Sequence, residues 1–327
     1  MPLLEVRDLS IDLHTHRGLA RAVREASFSL ERGETLGLVG ESGCGKSITA
    51  MALMGLLPEN ARVSGSILLE GKELVGLGER AWAALRGDRI GMIFQEPMTA
   101  LNPVHTIGHQ VAEPLRLHRR MPASQARAEA IRLLDRVGIP DAARRIDAYP
   151  HQFSGGQRQR ITIAMALACG PDLLLADEPT TALDVTIQKQ ILDLLRELVA
   201  ERGMAMILIS HDLGVIAQNV RRMMVMYGGS VVESGPTAGV FAHRRHPYTL
   251  GLFGARPALS SRRGQKLVTI PGTVPELADL PPGCPFAGRC PYTVADCHVI
   301  APPPVEVGPA HHARCIRLDA VAAGEKP

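Results

Sequence analysis

The stretch Gly40–Ser47, "GESGCGKS", decides the fold. It fits the spacing G-x-x-x-x-G-K-[ST] of a phosphate-binding loop. A short apolar run, "ETLGLVG" (34–40), leads into it, and a segment of helical pattern, "SITAMALMGLL" (47–57), leaves it and stops at Pro58. Glycines let backbone N–H groups turn inward around phosphate oxygens, and the helix starting near Lys46 aims the positive end of its dipole at the same charge. In such a loop Lys46 neutralises the β- and γ-phosphates and the Ser47 hydroxyl ligates Mg²⁺. Gly40, Glu41, Ser42, Gly43, Cys44, Gly45, Lys46, Ser47 and Ile48 are therefore the expected ATP contacts.

Outward from this loop, residues 3–256 alternate strand-like and helix-like segments. "DRIGMIFQEP" (88–97), "DLLLADEP" (172–179) and "MAMILIS" (204–210) read as strands. "SQARAEAIRLLDRVGI" (124–139) reads as a helix with Ala128, Ile131, Leu133 and Leu134 on one face. "TIQKQILDLLRELVAERG" (186–203) is the clearest helix: Ile187, Ile191, Leu194, Leu195, Leu198 and Val199 follow 3.6-residue spacing, and Gly203 sits where a C-terminal cap belongs. Such alternation predicts an α/β fold with a mainly parallel sheet covered by helices. Asp177 leaves a buried strand, where a carboxylate holds Mg²⁺ through water beside a phosphate loop. Glu178 follows it, placed to polarise an attacking water as general base.

Composition bounds the alternatives. The chain has 327 residues, 46% of them apolar, enough for a proper core. Aromatics are 3% and formal charge is +3, which argues against nucleic-acid binding. The first residues show no basic stretch before an apolar core, and nowhere do about 18 apolar residues run together, so neither a secretory signal nor a spanning helix is expected.

"FSGGQRQR" (153–160) supplies a second phosphate device: bare backbone N–H groups and a hydroxyl at a helix N-terminus. Two such devices in one chain make sense if each completes the other's site across a dimer. The combination resembles the nucleotide-binding subunits of ABC transporters. The resemblance implies a P-loop NTPase fold: a RecA-like core, a helical subdomain at about 97–168 and a small antiparallel β subdomain. It implies that Gln95 in "FQEP" senses Mg²⁺, shared with Ser47 and Asp177. It also implies that Ser154, Gly155, Gly156 and Gln157 contact the partner site's ATP and that Asp184 in "TALD" addresses the opposite site. Glu178 would be the catalytic base and His211 in "ISHD" the switch histidine. The aromatic residue that usually stacks on adenine is missing from "IDLHTHRGLARAV" (11–23), and no residue is assigned to that role. Cys44 replaces the commoner serine, which predicts inactivation by thiol reagents that nucleotide protects against.

"FQEPMTALNP", "YPHQFSGGQRQRITIAMALA", "LLLADEPTTALDVTIQKQIL" and "HPYTLGL" (246–252) are similar to the oligopeptide and dipeptide importer branch. That likeness implies an ATPase powering di- or oligopeptide import, peripheral to the cytoplasmic face of the membrane. Its partners would be a second, homologous ATPase subunit, two transmembrane permease subunits and an extracytoplasmic binding protein. Nickel or other solute import, or a soluble ATPase outside transport, are the alternatives.

Composition shifts near Pro257. Residues 257–327 are rich in Pro, Gly, Cys and His and read as a loop-rich extension too poor in apolar residues to fold without a staple. Cys284, Cys290, Cys297 and Cys315 are widely spaced, unlike a zinc ribbon. On ligand count, a [4Fe–4S] cluster and Zn²⁺ suit them equally, and His298, His311 or His312 are possible substitutes for one cysteine. The resemblance to the dipeptide-importer branch implies [4Fe–4S], with Zn²⁺, or else free cysteines or disulfides, as the alternatives.

Overall fold

The computed structural model describes residues 1–181, 183–255 and 269–327. The boundary expected between residues 256 and 257 lies outside the described residues. The chain forms two compact units, each gathered from several stretches. One comprises residues 1–4, 29–35 and 69–209, the other 5–28, 36–68 and 210–327.

In the first unit, strands Ile90–Ile93, Leu173–Asp177 and Ala205–Ser210 run parallel, with Ile90 opposite Leu173 and Leu173 opposite Ala205. Leu173, Leu174, Leu175 and Ala176 are fully buried, which is why this strand reads as an unbroken apolar run. Between the first two strands lie helices Pro97–Ala100, Ile107–His118, Ala123–Arg136, Ala142–Arg145 and Gly155–Ala166. In the third of these the buried face is Ala126, Ala130, Leu133 and Leu134. Ala128, expected on that face, is exposed, because the packed stripe begins two residues earlier than the sequence pattern suggests. The helix Val185–Arg202 ends at Gly203, whose φ of 60° is the left-handed cap its sequence predicts.

The second unit holds the strand Thr35–Val39, parallel to Arg222–Tyr227. Arg222–Tyr227 pairs antiparallel with Ser230–Pro236, and the extension adds His311–Ala313 and Val305–Gly308 beyond it. A second sheet orders Gly18–Leu30, Leu4–Thr15 and Ala61–Leu69 side by side. The two-residue turn at His16–Arg17 makes its first two strands a hairpin. Helix Leu213–Asn219 lies close on Thr35–Val39: a Cβ at Gly37 would meet Ile216 Cδ1 at 2.9 Å.

An ion ring without a sequence signal ties the first unit together. Arg32 and Arg89 each bond both Glu70 and Asp172, with Arg32 Nη1 2.6 Å from Asp172 and Arg89 Nη2 2.6 Å from Glu70. Burial works to raise the Asp172 pKa, but the Arg32 and Arg89 guanidiniums more than offset it, so the carboxyl sits below its ordinary value. A depressed carboxyl pKa gives stability above the unfolded value of about 3.9 that is lost as pH falls through the folded one. Arg89→Met is expected to lower Tm at pH 7 by about 2–4 °C. Thermal melts should show the gap to wild type closing as pH falls below about 4. A gap that stays constant across that range would mean the ring contributes nothing through its charge.

Candidate nucleotide-binding site

Gly40–Ser47 forms a closed turn between the strand Thr35–Val39 and the helix Lys46–Leu53. Gly43 and Gly45 have φ of 80° and 106°, the left-handed region that favours glycine. There is also no room for a side chain: a Cβ would lie 2.2 Å from Met226 O at Gly40 and 2.7 Å from Ala22 O at Gly45. The Lys46 ammonium is buried and donates to the Gly40 and Glu41 carbonyls at 2.8 and 3.0 Å. The loop is held from outside by the Gly229 N–H, which donates to Cys44 O at 3.1 Å. Cys44 itself is buried, and burial pushes its thiol pKa up against the opposing charge of Lys46. In the same unit His211 directly follows the strand Ala205–Ser210 and is exposed. Its neighbour Asp212 caps the helix Leu213–Asn219, accepting from the Gly214 N–H at 2.6 Å.

In the first unit, Asp177 ends its strand and is buried. Glu178 follows with φ of 45°, a strained conformation for a residue with a side chain. Its N–H donates to Ile209 O at 3.0 Å, which fixes it at the strand end. Its carboxylate accepts from the Thr181 hydroxyl at 2.9 Å and from the Gln95 amide at 3.2 Å. Gln95 and Glu178 are thus brought together, and Thr181 joins them without having been predicted.

Ser154 caps the helix Gly155–Ala166. Its hydroxyl accepts from the Gln157 N–H at 3.3 Å, and the Gln157 side chain accepts from the Ser154 N–H at 3.2 Å. This reciprocal box holds the turn with Ser154 and Gly155 exposed. Gly156 lies against Ile187, where a Cβ would come within 2.8 Å of Cγ2. Asp184 caps the helix Val185–Arg202, accepting from the Thr186 and Ile187 N–H groups at 3.1 and 3.0 Å. Ala182, within the same "TALD" stretch, lies outside the described residues.

The metal centre expected in the extension is corrected. Among the described residues no group of three or more His, Cys, Asp or Glu is arranged to hold a metal ion. Neither a [4Fe–4S] cluster nor Zn²⁺ is supported at Cys284, Cys290, Cys297 and Cys315. All four are free thiols beside one hollow of about 10 Å³, room for a single water. Burial pushes the Cys284 thiol up to about 12 and raises Cys290 and Cys315, and the Cys290 and Cys315 sulfurs accept from the Tyr292 and Arg317 N–H groups at 3.4 and 3.3 Å. His311 is no ligand either: its Nε2 bonds the buried Glu233 carboxylate at 2.8 Å.

The extension is stapled by packing instead. Phe286 is buried against Tyr227 and Tyr248, at ring-centre distances of 5.0 and 5.4 Å. The Cys284 N–H donates to Cys297 O at 2.8 Å. The sequence pattern missed this because a few aromatic side chains, together with strands added to an existing sheet edge, replace a core of the extension's own.

A strand, a left-handed glycine turn and a helix enclosing a buried lysine define a P-loop nucleotide-binding protein. A family model described as "ABC transporter" matches residues 23–181, and one described as "Oligopeptide/dipeptide transporter, C-terminal region" matches residues 232–297. A relative from Brucella melitensis is 52% identical over 334 residues, spanning 98% of this chain and 99% of its own. The oligopeptide transport ATP-binding protein OppD of Salmonella typhimurium is 50% identical over 315 residues, covering 96% of this chain and 93% of that protein. Among solved structures, the dimeric ATP-binding cassette MJ0796 bound to ADP and phosphate superposes with a TM-score of 0.65 at 27% identity. It covers 72% of this chain and 98% of that one. The chain belongs to the ATP-binding subunits of ABC transporters, in their oligopeptide/dipeptide branch.

Cys44 is buried within the loop, with burial raising its thiol pKa. Iodoacetamide at neutral pH is expected to label Cys44 at least about tenfold more slowly in the native chain than in urea, since only the thiolate reacts. Mass spectrometry of the labelled peptide checks this, and equal rates would show a loop more open than the one described.

Proposed function

We propose that this chain binds and hydrolyses ATP to drive import of di- or oligopeptides. The observation that carries the reading is the loop Gly40–Ser47, whose left-handed glycines and buried Lys46 make a cradle for phosphate. Lys46 balances the β- and γ-phosphate charge, while backbone groups from Gly40 to Ile48 surround the phosphates. Ser47, Gln95 and Asp177 offer the oxygen donors that suit Mg²⁺. When bound, that ion neutralises charge developing on the transferred phosphoryl group.

Glu178 orients the attacking water and accepts its proton. Gln95 and Thr181 steer its carboxylate, and the backbone bond to Ile209 keeps it at the strand end. His211 steadies the γ-phosphate and the water. Ser154, Gly155, Gly156 and Gln157 present an exposed helix N-terminus to the ATP of a second, homologous ATPase subunit, and Asp184 addresses the opposite site. Two permease subunits dock at about residues 96–120, where Val104 and Leu117 are exposed apolar side chains. An extracytoplasmic binding protein delivers the peptide. Among the described residues no helix is long and apolar enough to cross a membrane. The subunit works peripherally, on the cytoplasmic face.

The peptide substrate follows from the oligopeptide transport OppD relative and the C-terminal family match. Glu178→Gln is expected to cut ATP turnover at least about 100-fold while leaving ATP binding within about threefold of wild type. Surviving turnover would move the base elsewhere. Uptake of labelled peptide by vesicles carrying the assembled complex tests the substrate, and import of nickel with no peptide uptake would overturn it.

A further inference from the structure

Among the described residues, the extension bonds the phosphate loop through the side chain of Arg289. Arg289, in the turn between Cys284 and Cys290, has a side chain only 7% exposed. Its guanidinium grips Glu41 as a fork, Nη1 to Oε2 at 2.7 Å and Nη2 to Oε1 at 3.2 Å. The remaining donor directions are also held, with Nε on Pro271 O at 2.9 Å, Nη1 also on the Tyr227 hydroxyl and Nη2 on Gly272 O. The fork is therefore fixed by its own surroundings before it meets Glu41.

Glu41 is in turn tied through its own backbone. Its N–H donates to the Tyr248 hydroxyl at 2.8 Å. Its carbonyl accepts from Lys46 Nζ at 3.0 Å and from the Cys44 N–H at 3.4 Å. A line of contacts thus runs from the extension through Glu41 to the lysine that meets phosphate. Charge gives it a purpose. A carboxylate inside a loop that must receive a polyanion opposes binding, and a bidentate guanidinium is the group best suited to cancel it.

We propose that Arg289 is a positioning residue for nucleotide binding: it neutralises and anchors Glu41, so that the extension sets the shape and charge of the phosphate loop. This rests on reading Gly40–Ser47 as the ATP site. Loss of Arg289 leaves Glu41 charged, half-buried and uncompensated next to the incoming phosphates. Loss of the Glu41 charge in that background removes the repulsion.

The test is titration of the full-length chain with MgATP. Arg289→Met is expected to weaken binding about tenfold. Arg289→Met combined with Glu41→Gln should return to within about threefold of wild type, a recovery that merely structural damage would not give. Arg289→Met binding as tightly as wild type, or a double variant weaker than the single, would overturn the proposal. Arg289→Lys, which keeps the charge but not the fork, covers the case of a Met variant that fails to fold. Amide hydrogen exchange across residues 40–47 should be faster in it than in wild type, and equal exchange counts against the proposal. Wild-type chain that binds no MgATP would instead sink the ATPase reading itself.

Discussion

Everything near the site follows from a lack of space at two glycines. Gly40 is pressed against the Met226 carbonyl and Gly45 against the Ala22 carbonyl, so two separate strands touch the turn. Only glycine fits at either position, and Gly45, at φ 106°, takes the left-handed path from which the helix starts at Lys46. Once it starts there, the lysine side chain folds back over the loop's own carbonyls. The turn at Gly228–Gly229 closes the enclosure: a Cβ at Gly229 would strike Ala22 O at 2.8 Å, and one at Gly228 would strike Pro285 of the extension at 2.9 Å. Small residues therefore recur wherever the loop meets a neighbour.

How much of this was legible depended on whether the information was local. Strand, loop and helix around Gly40–Ser47 were readable because glycine spacing and apolar runs encode them directly. The helix Val185–Arg202 was readable to within a residue, because its apolar spacing and Gly203 cap agree. The Asp177–Glu178 pair was visible as a strand end, but the left-handed backbone at Glu178 was not, since nothing in "LLLADEP" marks it. Thr181, Tyr248 and Arg289 were missed as contributors for a different reason. Each acts through a partner that only the fold identifies, 3, 207 and 248 residues away in sequence.

The cysteines show the opposite failure, where composition suggested more than the fold contains. Four thiols in a proline-rich stretch of low apolar content invited a metal staple. The structure places them around one small hollow beside Phe286 and Ala287, and among the described residues no group of three or more His, Cys, Asp or Glu is arranged to hold a metal ion. Apolar content counted along the extension alone underestimated its stability, because much of what it packs against, Tyr227 and Tyr248 above all, belongs to earlier segments.

The strands that the extension adds have a bearing on solubility. Without them Ser230–Pro236 would be a bare sheet margin, its backbone groups open to any passing strand. His311–Ala313 covers that margin, and the outermost strand, Val305–Gly308, is a poor template. It has four residues, its pairing slips between Glu306 and Gly308, and prolines stand at 302–304 and 309. The chain thereby ends this sheet in a segment that resists strand-to-strand aggregation.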